Sequence, residues 1–150
     1  MPLNQSLKGK TYEEVEFAVE RERASQFALA VGEDDPRFLD PEAARSEGFP
    51  DQVAFPTFPT VIQILTSAQV VLDEELGLDY ARVVHGEQEY EWKRPIVVGD
   101  HLRAQPRISD IYSKGPNEFL VIEAEIKDAD GEVVCVGRST LLSRGTAEGG

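Results

Sequence analysis

The sequence predicts an α+β fold in which an antiparallel sheet wraps around one long central helix. Three observations predict it. A long, strongly apolar stretch, Thr60 to Leu76, sits mid-chain. Only short helical pieces precede it, and everything from Val83 onward reads as strand.

Met1 to Glu16 is polar and carries Gly9, which suits a lead-in strand and loop. Glu20 to Val31 places Ala24, Phe27, Ala28 and Val31 at helical spacing, and Gly32 stops it. Pro41 to Glu47 is a second short helix, with Asp40 as its N-cap, Pro41 in its first turn and Gly48 at its end. The connector AFPTFP leads into the main helix, Thr60 to Leu76. There Val61, Leu65, Ala68, Leu72 and Leu76 form one stripe, which Ile62, Ile64, Val70 and Val71 widen. So broad an apolar circumference predicts a buried helix, closed by Gly77. Val83 to Trp92 alternates, setting Gly86, Gln88, Tyr90 and Trp92 on an inward core face against His85, Glu87, Glu89 and Glu91. His101 to Tyr112, Phe119 to Asp128 and Glu132 to Arg144 follow, the last two joined through a turn at Asp128–Gly131. A sheet around a single helix is the hot-dog arrangement. Its open edges predict a dimer of two such units. One domain over residues 1–144 is expected, with residues 145–150 as a disordered tail.

Composition bounds the function. A chain of 150 residues buries roughly 68–70% of its unfolded surface, enough for a core without staples. The net charge of −13 argues against nucleic acid and against anionic membrane surfaces. The N-terminus lacks the apolar core of a signal peptide, and a cytoplasmic, soluble protein is expected. The single cysteine, Cys135, lies in the apolar run Val133–Val136 and reads as a buried strand residue. Glu33, Asp34 and Asp35 cluster, but without the spacing of a calcium loop, so neither metal nor cofactor is expected.

The run Gly32-Glu33-Asp34-Asp35-Pro36-Arg37-Phe38-Leu39-Asp40-Pro41, continuing to Gly48-Phe49, resembles the hydratase-2 motif of MaoC-like (R)-specific enoyl hydratases and (3R)-hydroxyacyl dehydratases. His85-Gly86-Glu87-Gln88, with Arg94-Pro95-Ile96-Val97-Val98-Gly99-Asp100, is similar to the N-terminal dehydratase subfamily. The family motif reads Gly-Asp-x-Asn-Pro-(aliphatic)-His-x-Asp, and its Asp and His share the proton work of adding water to an enoyl thioester. Here Glu33 stands at the Asp position, Asp35 at the Asn position, and Phe38 at the His position. A carboxylate at residue 33 keeps a base, displaced by one methylene. A phenyl ring at residue 38 has neither an exchangeable proton nor a lone pair.

The resemblance therefore implies the non-catalytic half of a hydratase or dehydratase of fatty acid metabolism, acting on coenzyme A or carrier-protein acyl thioesters. It would work as a hot-dog homodimer, or as a heterodimer with a catalytic MaoC-like subunit. Asp35, Phe55, Phe58 and Arg94 are the expected substrate-binding residues. Lys93, Arg94, Arg103 and Arg107 could form a basic patch for phosphates. Three alternatives stay open: a self-sufficient hydratase using Glu33 or His85, a non-enzymatic acyl-thioester-binding protein, and a hot-dog thioesterase. Strand alternation places His85 on the solvent face unless Gly86 hosts a bulge. A thioesterase usually needs an acid on the central helix, which offers none before Asp73. His101 reads as structural or solvated.

Overall fold

A computed structural model describes residues 1–148 of the chain. Strand β1 (Val15–Ala18) precedes helices α1 (Arg21–Ala30), α2 (Pro41–Ser46) and α3 (Pro59–Val71). Strands β2 (Val83–Trp92), β3 (His101–Lys114), β4 (Asn117–Lys127) and β5 (Val133–Ser143) complete it. The five strands form one sheet in the order β1-β3-β4-β5-β2, with every neighbour antiparallel. Helix α3 packs on one face of this sheet, which is the hot-dog arrangement expected from the sequence.

The hairpin β4–β5 turns where its residues dictate. Gly131 takes a left-handed conformation (φ +82°), and one Asp128 carboxylate oxygen accepts the backbone N–H groups of Asp130 and Glu132. Strand β3 buries Leu102, Ala104, Pro106 and Ile108, then Ile111. A bulge between Ile108 and Asp110 makes that switch of parity, by inserting one unpaired residue.

The core gathers around the two ends of α3. Phe17, Phe27 and Phe58 pack edge to face, with centroids 5.9 and 5.6 Å apart, beneath Ile62, Leu102 and Val134. Val70, Leu76, Ile108 and Leu120 fill the other end.

Helix α3 departs from expectation in two ways. It ends at Val71, because the Asp73 carboxylate accepts the Glu75 N–H and opens a separate 3₁₀ turn that Gly77 closes. Its buried stripe is Ile62, Gln63, Thr66 and Val70. Leu65 and Leu72, from the stripe the sequence favours, are 44% and 77% exposed, and Ile64 is 65% exposed. An apolar helix face is thus left open in the single chain.

The expected tail is fastened at its start. Thr146 is buried, its hydroxyl donates to the Ser143 carbonyl, and Ala147 N–H donates to the Pro116 carbonyl. Gly149 and Gly150 lie outside the described residues. Among the described residues, no helix is long and apolar enough to cross a membrane.

Candidate functional site

The motif loop is built by the end of α1. Gly32 adopts φ +79°, and Glu33 N–H returns to the Ala28 carbonyl at 2.9 Å, closing the helix with a left-handed cap. This turns the Glu33 carboxylate back on its own loop, where Oε1 accepts the N–H groups of Asp34 (3.0 Å) and Asp35 (2.8 Å). Asp35 is engaged in the same manner. Its Oδ1 accepts both Arg37 N–H (3.0 Å) and Arg37 Nε–H (3.1 Å). The Arg37 backbone N–H, helped by the guanidinium, holds the Asp35 carboxyl below its ordinary value. Asp40 caps α2 through Glu42 N–H, as its position suggests. Buried Gln52 locks the loop from behind by donating to Ser25 Oγ and the Phe38 carbonyl, each at 2.8 Å.

In front of this loop lies a cleft of about 530 Å³. Phe38, Phe49, Phe55, Pro59, Trp92 and Ile96 supply apolar walls, and Arg37, Lys93 and Arg94 its cationic rim. Phe38 meets Phe55 edge-on at 5.4 Å, so the residue at the motif's histidine position is a wall. Trp92 is 48% exposed, not core, and its indole N–H donates to the Pro56 carbonyl. The paired Phe and Pro residues of the AFPTFP connector divide their roles. Phe55, Pro56 and Pro59 line the cleft, whereas Phe58 is 0% exposed within the core.

Two expected binding residues thus move out of the site. Phe58 lies beneath the cleft because its ring completes the Phe17–Phe27 cluster, and Asp35 is occupied by Arg37 and does not line it. Arg94 lines it but is held from below. Its two terminal nitrogens each donate to the Asp100 carboxylate at 2.9 Å, and one reaches Asp128 at 3.4 Å. The basic patch does not assemble. Arg107 pairs with Glu123, Arg103 approaches Glu14, and Lys93 pairs with Glu91.

His85 belongs to a second cleft, of about 620 Å³, between the open face of α3 and β2. A bulge at Gly86 shifts the register, so that His85 opposes Leu141 and Glu87 opposes Thr140. The bulge brings the imidazole round to the helix side, correcting strict alternation. His85 Nε2 lies 3.1 Å from Gln88 Oε1, which also accepts Ser139 Oγ–H at 2.7 Å. Gln88 in turn donates to buried Gln63 at 2.6 Å. Ser67 Oγ is buried beside this row without a hydrogen-bond partner. The sequence placed Gln88 on the inward face of its strand but gave no site role to it, to Gln63 or to Ser139, although a buried glutamine on an apolar helix is a signal for such a network. Adjacent residues Pro59 and Thr60 line one cleft each, so the two flank the first turn of α3. Thr60 Oγ1 and Tyr90 OH bond across that turn. His101 is exposed opposite Ala18.

Chemically, the first cleft suits an apolar chain bearing an anionic group, and neither Glu33 nor His85 lines it. No group of three His, Cys, Asp or Glu side chains is placed to hold a metal among the described residues. Cys135 is buried, and burial pushes its thiol up to about 11, which leaves it protonated.

Residues 6–136 match the family described as FAS1-like, dehydratase domain region. A UPF0336 protein of Saccharopolyspora erythraea is 45% identical over 149 residues, covering 99% of this chain and 96% of that protein. Among solved structures, the truncated HadBC (3R-hydroxyacyl-ACP dehydratase) complex from Mycobacterium tuberculosis superposes with a TM-score of 0.80 at 28% identity. That match covers 91% of this chain and 96% of the other. A MaoC-like dehydratase superposes at 0.87 and 23% identity over 93% of this chain and 43% of its own, a likeness of fold. Motif, sheet order and matched span converge: the chain belongs to the FAS1-like dehydratase region family, on the hot-dog fold of MaoC-like dehydratases.

Proposed function

We propose that this chain is the acyl-binding, non-catalytic subunit of an (R)-specific enoyl-thioester hydratase or 3-hydroxyacyl dehydratase, working beside a catalytic hot-dog chain. One observation carries the reading: at the two motif positions that handle protons in the resembled family, the side chains are put to other uses. Phe38 forms part of the cleft wall, and the Glu33 carboxylate accepts two backbone N–H groups of its own loop. Hydration needs a base for water and a donor for the developing enolate oxygen. Glu33 and His85 do not share a cleft, so this chain does not assemble an acid–base pair from them.

The aromatic walls suit an acyl chain, and Arg37 and Lys93 at the rim, whose carboxylate partners Asp35 and Glu91 do not line the cleft, suit the phosphate of a phosphopantetheine thioester, on coenzyme A or a carrier protein. The open apolar face of α3 supports a partner chain covering it. The similar HadBC structure is itself a dehydratase complex.

The test is an enoyl-thioester hydration assay on the pure chain, and on the complex it draws from its native lysate. No turnover by the chain alone and turnover by the complex are expected. Brisk hydration by the homogeneous chain refutes the reading and moves attention to His85.

A further inference from the structure

Strand β2 forms one end of the sheet and pairs only with β5, which leaves the other side of a ten-residue strand open. Its outward side chains on the face away from α3 are Glu87, Glu89 and Glu91, all exposed. Across the ladder to β5 they oppose Thr140, Arg138 and Val136. Arg138 donates to Glu89 at 2.9 Å and to Glu123 at 2.8 Å, and Lys93 holds Glu91 at 2.6 Å. The ion pairs of this row fall on Glu89 and Glu91, and Glu87 makes none among the described residues. The outermost row of the sheet face is thus three carboxylates, with the nearest arginine one strand further in.

We infer that this row selects the partner of the sheet edge: a different hot-dog chain, whose own edge strand carries lysine or arginine on the same face, in preference to a second copy. The inference deepens the partner reading above and rests on it for the existence of another chain. Symmetry supplies the reason. In an antiparallel self-pair about a twofold axis normal to the sheet, facing residues lie on the same side, so odd positions oppose odd positions. With the axis at any residue from 87 to 91, at least one glutamate of one copy faces a glutamate of the other. Like charges directly opposite destabilise a strand pair, and basic residues there stabilise it. The net charge of −13 acts in the same sense at longer range. The open apolar face of α3 beside β2 supplies adhesion without choice of partner, and the glutamate row supplies the choice.

The probe is the same chain with Glu87→Lys, Glu89→Lys and Glu91→Lys. Sedimentation of the wild type, of this variant and of their equimolar mixture is compared at low and high salt, with thermal melts confirming that each folds. The expected result is a mixed dimer at least tenfold tighter than either self-dimer at low salt, weakening as salt rises. A second variant, Glu87→Gln with Glu89→Gln and Glu91→Gln, self-associates at least tenfold more tightly than the wild type. Mixed dimers no tighter than self-dimers, or a wild-type dimer unaffected by the glutamine changes, overturn the inference. Neither readout involves thioester chemistry. A complex that forms but fails to hydrate would therefore count against the proposed function alone.

Discussion

Gly137 shows how one absent methyl group can hold a site together. A Cβ there would stand 2.6 Å from Gln63 Oε1 and 3.3 Å from the Tyr90 ring. Those two side chains lie on the sheet where the Gln63–Gln88 bond and the Thr60–Tyr90 bond are made. Gly137→Ala is expected to destabilise the chain by about 1–3 kcal/mol through overpacking, read as a lower denaturant midpoint. Cys135 gives a second test at this scale. Because its thiol is buried and pushed up to about 11, alkylation at pH 8 should proceed only as fast as the protein opens. Prompt labelling of the native chain would contradict that placement. Phe38 and Glu33, on which the proposed function rests, are also the two most legible from sequence. A missing imidazole can be read in one letter.

At the scale of elements, the N-terminal segment is strapped to the end of α3. Lys10 Nζ reaches Asp73 at 2.6 Å, and Tyr12 OH donates to the same carboxylate oxygen at 2.8 Å. The Lys10 hydrogen bond above all holds the Asp73 carboxyl below its ordinary value. A carboxyl depressed in the folded state contributes stability above its unfolded value and loses it as pH falls through the folded one. Stability should therefore decline on acidification from neutral pH through about pH 4 and below. Asp73→Asn should narrow the gap between denaturant midpoints at neutral and acid pH by under about 1 kcal/mol, because the pair is partly solvated. The rest of the decline falls to other depressed carboxyls, Asp51 and Asp110 among them. Strand limits were legible here: β2 runs Val83–Trp92, as its alternation predicts. The bulge at Gly86 was not fixed by pattern, because a glycine permits a bulge without requiring one.

For the whole molecule, the decisive feature is which side of α3 meets the sheet. Ile64 and Leu72 sit on the open side and line the second cleft. Ile64→Glu with Leu72→Glu should leave the chain's own stability within about 0.5 kcal/mol, since neither side chain is in the core. The same pair should abolish recovery of the hydrating complex. Equal recovery would show that the partner sits elsewhere. Helix α3 has apolar residues around most of its circumference, so periodicity could not choose between its faces. Packing chose the side of Ile62, Thr66 and Val70, where Ile62 joins Ala104 in the core and Gly137 leaves room for Gln63 against the sheet.

By itself the sequence determined the antiparallel sheet and its central helix, and it set Phe38 and Glu33 where the resembled motif has histidine and aspartate, because alternation, apolar runs and single residues are local properties of the chain. Only the tertiary structure decided that Phe58 belongs to the core and Phe55 to the cleft, that Asp35 and Arg94 are held by neighbours, and that His85 turns toward α3. The places of Phe55, Phe58, Arg94 and His85 depend on contacts between residues further along the chain or on a bulge, and that of Asp35 on a turn that brings Arg37 back to it; a side chain's role is fixed by what fills the space around it.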